Sequence, residues 1–224
     1  MKHNISFELE LKKHNFSGKL IAIEGNEGSG KTTQANAVVS ELNKQGINAI
    51  YTKEPTDGSI GQLIRKVLSG DLKVPPVSLQ YLFCADRAVH QEEIEEYLKK
   101  GYIVVTDRYF WSAAAYGIAD LAGEEDFYLV SFSILSFYNR FLSPDVTIFL
   151  DVSIEEALKR ISNSPKHNEI YDKKGMIEKV RQTYQKLIEK FPEEFVVINA
   201  DRSKEEVMND IISKVTVDKT NIIV

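Results

Sequence analysis

The sequence predicts a doubly wound α/β domain, a three-layer fold in which a five-stranded parallel sheet carries helices on both faces. Three observations predict it. Five β-type runs, at 20–23, 49–52, 102–106, 146–150 and 195–198, alternate with stretches of helical periodicity, and that alternation builds parallel βαβ units. The first run leads straight into a glycine-rich turn and a helical pattern, Leu-Ile-Ala-Ile-Glu-Gly-Asn-Glu-Gly-Ser-Gly-Lys-Thr-Thr-Gln over 20–34. The chain has 224 residues, 43% hydrophobic and 27% charged, the size and composition of one domain with a core of its own. Right-handed crossovers then place all five strand C-termini on one edge of the sheet. In open parallel sheets that edge is where ligands bind.

Composition narrows the classes of function. No run of 18 apolar residues is present, so no membrane span is expected. The first residues lack an apolar signal core, so a cytoplasmic protein is expected. The single cysteine, Cys84, excludes an intramolecular disulfide. Set among Leu82, Phe83 and Ala85, it reads as helix filler, with a nucleophile as the alternative. No Cys/His spacing fits zinc. A net charge of −5 argues against a nucleic-acid-binding surface. An anionic substrate would need Lys and Arg concentrated locally.

Taken in order, residues 1–18 precede the first strand. Phe7, Leu9 and Leu11 alternate with Glu8, Glu10 and Lys12, the pattern of an extended edge segment or equally of a frayed extension. Gly25-x4-Gly30-Lys31-Thr32 then fits the phosphate-binding P-loop pattern G-x-x-x-x-G-K-[ST]. Glycines let backbone N–H groups converge on phosphate oxygens, and the helix N-terminus adds partial positive charge. Lys31 can place an ammonium on the β- and γ-phosphates, and Thr32 can offer its hydroxyl to Mg²⁺. Gly25, Asn26, Glu27, Gly28, Ser29, Gly30, Lys31, Thr32 and Thr33 are therefore the candidate binding residues for a nucleoside triphosphate.

Val38, Val39 and Leu42 keep helical spacing until Gly46 stops the helix. The second strand ends in Lys53-Glu54-Pro55-Thr56-Asp57-Gly58, a turn by its Pro and Asp-Gly content. A helix follows with Ile60, Leu63, Ile64, Val67 and Leu68 on one face and Arg65 on its polar side, a solvated charge or a ligand for an anion. Pro75-Pro76 breaks the chain before a long helix over 77–99. Phe83 and Arg87 share a face of it; they could stack on a base and bond its edge, or be a core ring beside a surface charge. Asp107-Arg108 ends the third strand. There an acidic group can hold Mg²⁺ through water and an arginine can clamp a phosphate, or the two can form a structural ion pair. Helices follow over 111–119 and 124–141. The fourth strand ends at Asp151, and Ser153 with Glu156 makes a capping box for the next helix. The polar stretch 162–168 reads as a mobile loop. A helix through Val180, Tyr184 and Leu187, the fifth strand, and a second capping box at Ser203 and Glu206 complete the pattern.

Five motifs in this order resemble the thymidylate kinase family over roughly 19–215. They are Glu24-Gly25-x-Glu27-Gly28-x-Gly30-Lys31-Thr32-Thr33-Gln34; Glu54-Pro55 with Ile64-Arg65; Leu82-Phe83-x-Ala85-Asp86-Arg87; Asp107-Arg108-Tyr109 with Ser112 and Ala115-Tyr116; and Pro144-Asp145-Val146-Thr147 with Leu150-Asp151-Val152. The resemblance implies transfer of the γ-phosphoryl of MgATP to dTMP by a cytoplasmic homodimer with no nucleic-acid or membrane partner. It implies a kinase domain over 19–216 with a lid at about 161–172, between an extension at 1–18 and a tail at 217–224. Lys31, Arg108 and Asp107 would be catalytic, with Thr32 and Asp107 at the metal. Glu27 would lie beside the sugar 3′-hydroxyl, with Glu54 also at the acceptor. Arg65 and Arg108 would hold the dTMP phosphate, Phe83 would stack on thymine, and Arg87 would hydrogen-bond it. Tyr116 would crowd the 2′-position, and Arg160 would stand near the adenine. A kinase for another nucleotide or deoxynucleoside, or a non-catalytic nucleotide-binding module, are the alternatives.

Three features depart from the family pattern. The lid offers Lys166 and His167, and Glu169-Ile170-Tyr171-Asp172 replaces an arginine-containing segment. Ala113 and Gly117 stand where polar residues often read the thymine, so looser base selectivity is expected. Lys53 replaces an arginine before Glu-Pro.

Overall fold

The computed structural model describes residues 8, 10–121, 127–163 and 174–215. Five strands form one sheet: β1 (Lys19–Glu24), β2 (Ala49–Lys53), β3 (Ile103–Asp107), β4 (Val146–Asp151) and β5 (Val196–Asn199). Their order is β2-β3-β1-β4-β5, and every neighbouring pair is parallel. The register sets Ile23 against Asp107 and Ile148, so the chain leaves each strand on the same edge, as the crossover rule predicts.

Among the described residues, eight α-helices flank the sheet: α1 (Lys31–Lys44), α2 (Ser59–Leu68), α3 (Pro76–Lys99), α4 (Phe110–Leu121), α5 (Phe127–Tyr138), α6 (Ile154–Ser162), α7 (Lys174–Lys190) and α8 (Lys204–Val215). β1 explains why both faces must be covered. Leu20 and Ala22 point into a core with Ile64, Leu79, Ile94, Trp111 and Tyr184, whereas Ile21 and Ile23 point into another with Ala35, Val38, Leu42 and Ile211. A strand apolar on both faces is stable only between two helical layers. At the sheet edge Val197 is half exposed, as a strand covered on one face requires.

Element boundaries differ from expectation where packing overrides pattern. β5 starts at Val196, because Phe195 turns its ring onto Trp111, with centroids 4.8 Å apart. Pro76 opens α3 rather than merely preceding it; a first helical turn has no use for the missing N–H. Lys12 makes an isolated parallel bridge to Leu142, and Ser143 N–H donates to the Lys12 carbonyl at 2.8 Å. From Leu11 to Phe16 the extension is thus pinned to the core, though it adds no strand to the sheet. Phe7 and Leu9 lie outside the described residues, as do the lid residues Lys166, His167 and 169–172. The capping box at Ser203 is reciprocal, Glu206 N–H donating to Ser203 Oγ (3.3 Å) and Ser203 N–H to Glu206 Oε2 (3.0 Å). The one at Ser153 is half a box. Its Oγ accepts from Glu156 N–H, but its own N–H goes to Asp201, while Glu156 pairs with Arg160.

Candidate active site

The P-loop connects β1 to α1 at the C-terminal edge of the sheet. Gly28 has φ 77°, and a Cβ there would stand 2.4 Å from the Ala157 carbonyl oxygen of α6, so only glycine lets the loop lie this close. Lys31, in the first turn of α1, is buried and donates to the Asn26 carbonyl at 2.7 Å. Burial and then the nearby Arg108 push its ammonium down to about 8, with Glu27, Asp107 and Glu24 partly offsetting them. Thr32 donates its hydroxyl to Asp107 Oδ2, and Asp107 Oδ1 is buried without a partner. Arg160 on α6 reaches the same loop. It donates to the Ala200 carbonyl at 2.9 Å, and its Nη1 lies 3.5 Å from the Ser29 carbonyl.

Arg108 follows β3 with φ 73°, an unusual backbone for a bulky residue. Glu24, the last residue of β1, holds that turn in place. It is fully buried and accepts from Tyr109 N–H (3.0 Å), Ser112 N–H (3.1 Å), Ser112 Oγ and Tyr184 Oη (2.9 Å). Burial raises its pKa, although Ser112, Tyr184 and Arg108 oppose the shift. The Arg108 guanidinium pairs with Glu27, donates to Ser112 Oγ and Tyr116 Oη, and lies 4.8 Å over the Tyr116 ring. Asp107 and Arg108 therefore do not pair with each other as a structural couple. Each faces a different partner from the P-loop.

Beside this loop is a cavity of about 110 Å³. Glu27, Glu54, Arg65, Phe83, Arg87, Arg108 and Tyr116 all line it. The seven candidate acceptor residues thus converge, although they come from the P-loop, the β2–α2 and β3–α4 turns and helices α2, α3 and α4. Arg87 corrects the surface-charge alternative: it is 2% exposed. It pairs with Glu54 through Nε and Nη2, and its guanidinium lies 4.6 Å over the Tyr138 ring. Its Nη1 has no partner. Burial opposes ionisation of Glu54, but Arg87 and His90 outweigh it and hold the carboxyl below its usual range. Arg65 is neither free in solvent nor buried. Its guanidinium donates to the Thr56 and Pro55 carbonyls, both at 2.5 Å, and meets Asp57 at 3.2 Å. Asp86 fixes the same turn by accepting from Thr56 N–H and Oγ1.

Sequence reasoning quoted Glu24 and Ser112 without a role and passed over His90. A glutamate ending an apolar, two-sided strand was the available signal for Glu24, since a buried carboxylate needs partners. His90, three residues after Arg87, bonds both Glu54 (3.0 Å) and Thr52 (2.6 Å); only the fold brings β2 to it. Cys84 is half-buried against the core, which fits helix filler.

A phosphate-binding loop set against an arginine-lined, aromatic-walled cavity defines a P-loop phosphotransferase that uses a second, base-bearing substrate. Comparison with known proteins narrows the class. The family model for thymidylate kinase matches residues 23–211, and the chain belongs to that family. A probable thymidylate kinase of Methanococcus aeolicus is 41% identical over 202 residues, covering 88% of this chain and 95% of that protein. One of Thermococcus onnurineus is 38% identical, covering 87% and 96%. The solved structure of thymidylate kinase from Candida albicans superposes with a TM-score of 0.75 at 26% identity, covering 88% of this chain and 90% of that one.

Proposed function

We propose that this chain transfers the γ-phosphoryl group of ATP to dTMP, giving ADP and dTDP. The observation that carries this reading is the single cavity in which Phe83, Arg87 and Tyr116 stand with Arg65 and Arg108 directly beside the P-loop. An aromatic face and hydrogen-bonding groups suit a pyrimidine, and the arginines suit its 5′-phosphate.

The chemistry asks the protein for alignment and charge neutralisation more than for covalent work. A non-bridging oxygen of the dTMP phosphate bonds to the γ-phosphorus, and the bond from that phosphorus to the β–γ bridging oxygen breaks, releasing ADP. The acceptor phosphate is largely a dianion near neutral pH, so no general base is assigned. Lys31 would sit on the β- and γ-phosphates, and Arg65 and Arg108 would hold the acceptor phosphate against them. Thr32 and Asp107 offer the hard oxygen donors Mg²⁺ prefers, and the unpartnered Asp107 Oδ1 fits that role. Mg²⁺ held by Thr32 and Asp107 would supply positive charge against the donor phosphates. Glu27 would face the sugar 3′-hydroxyl and Tyr116 would crowd a 2′-hydroxyl. Glu54 would orient Arg87, and Arg160 would stand beside the adenine. Lysine in the lid at about 161–172 cannot reproduce the fork of an arginine, so Arg160 would share the transition-state charge. We further place the enzyme in the cytoplasm, as a homodimer; no helix among the described residues is long and apolar enough to cross a membrane.

An ADP-release assay with dTMP, dUMP, dCMP, AMP and thymidine tests this. Turnover should be fastest on dTMP, and faster turnover on any of the others would overturn the assignment.

A further inference from the structure

Gln80 lies three residues before Phe83 and seven before Arg87, on the α3 face that lines the acceptor cavity. Its side chain is buried, 3% exposed, and neither Oε1 nor Nε2 has a hydrogen-bond partner. A carboxamide buried with both ends unpaired is rare in native interiors and calls for an explanation, a partner that arrives from outside the chain being one. Against it stands Gly117 of α4, one turn beyond Ala113 and next to Tyr116, both of which line the cavity. A Cβ at 117 would fall 2.9 Å from Gln80 Cδ and 3.0 Å from its Oε1, as well as 2.4 Å from Ile134 Cδ1. The missing side chain of Gly117 is thus what makes room for the Gln80 amide.

Arg87 Nη1 is likewise buried and unpaired. Flanking Phe83 on one helix, then, are two unpaired donors, Arg87 Nη1 and Gln80 Nε2, and one unpaired acceptor, Gln80 Oε1. The Watson–Crick edge of thymine carries the complement: carbonyl O4, N3–H, carbonyl O2. We propose that Gln80 is a base-reading residue, its Oε1 accepting N3–H and its Nε2 donating to O2 while Arg87 Nη1 donates to O4. The proposal rests on the assignment of this cavity to dTMP. It moves the reading of the base from α4, where Ala113 and Gly117 have no polar group to offer, to α3. The amide can turn over to suit a cytosine N3, so discrimination against dCMP falls to Arg87, which has donors only. Discrimination at N3 itself falls to Gln80.

The test compares dTMP with its N3-methyl derivative in the wild type, Gln80→Leu and Gln80→Met. The wild type should strongly prefer dTMP. Either variant should lose roughly 10–100-fold in kcat/KM for dTMP, mostly through KM, with KM for ATP unchanged. The preference over the N3-methyl substrate should shrink by a similar factor. Melting of the free variants should be unchanged or higher, because an unpaired amide has left the core; a packing role alone would lower melting and leave the N3 preference intact. Unaltered dTMP kinetics and N3 preference in folded variants would overturn the role of Gln80. If Phe83→Ala still weakened dTMP use while leaving KM for ATP unchanged, the cavity assignment would stand without it. Should neither variant fold, equal use of the two substrates by the wild type would overturn the proposal. A wild type inactive on dTMP would remove the cavity assignment and the proposal together.

Discussion

Arg87 sits in the middle of α3 with its guanidinium between Glu54 and the ring of Tyr138. Helical spacing placed it on one face with Phe83. It could not say that the face turns inward, because nothing near Arg87 in sequence announces Glu54, 33 residues away. The pair is buried, so removing one partner leaves a charge uncompensated. Glu54→Gln should cost about 3 kcal/mol at pH 7. Because the folded-state pKa of Glu54 is lowered from 4.5, its contribution is present above that value and is lost as pH falls through the folded pKa. Urea unfolding of wild type and variant should therefore converge in acid below the unfolded value; a pH-independent difference would count against the pair. Phe83 makes a second prediction. Stacking on a base is worth ~1–3 kcal/mol, so Phe83→Ala should weaken dTMP binding about 5–150-fold while calorimetry shows ATP binding unchanged. Equal losses for both ligands would make Phe83 a core residue instead.

At the scale of elements, β1 with its following turn and α1 was the most legible unit. An apolar run, three glycines, lysine and threonine have one physical reading together. Helix α8 was legible too, and its reciprocal cap makes a clean test. Ser203→Ala should cost about 1 kcal/mol, a fall in melting temperature of roughly 2–4 °C for a chain this size, with turnover unaffected. An unchanged melting temperature would show that the cap contributes nothing. Less legible was the turn from β3 into α4. The positive φ of Arg108 depends on Glu24, whose oxygens collect Tyr109 N–H and Ser112 N–H from a different strand connection. Local pattern carries no trace of an acceptor 85 residues away. The Ser153 cap failed as a full box for a similar reason: Asp201, from the loop after β5, takes the N–H that the motif assigns to Glu156.

Across the whole molecule, the cavity proposed for the acceptor joins residues of the P-loop, the β2–α2 turn and helices α2, α3 and α4, so filling it should stabilise the entire fold. At 100 times its dissociation constant, dTMP adds about 2.7 kcal/mol, roughly 5–11 °C in melting temperature. Trp111 is a convenient reporter. It is the one tryptophan of the chain, fully buried against Phe191 and Phe195, so its fluorescence follows loss of the core. No shift with dTMP, where ATP gives one, would mean that the cavity is not the acceptor site.

The sequence alone determined the alternation of strands and helices, the phosphate-binding loop, the shared edge of the strand ends and the order of motifs that marks the family. These follow from periodicity, glycine placement and chirality, which are local or topological. Tertiary structure decided which charges are buried and what they face. It turned Arg87 inward to Glu54, set Arg65 on the backbone of the Glu54-Pro55-Thr56 turn, made Glu24 the support of Arg108, and laid Gln80 over Gly117. Those partners lie from nine to 85 residues apart in the chain. Pairing at such separations depends on how layers pack, and no local pattern records it.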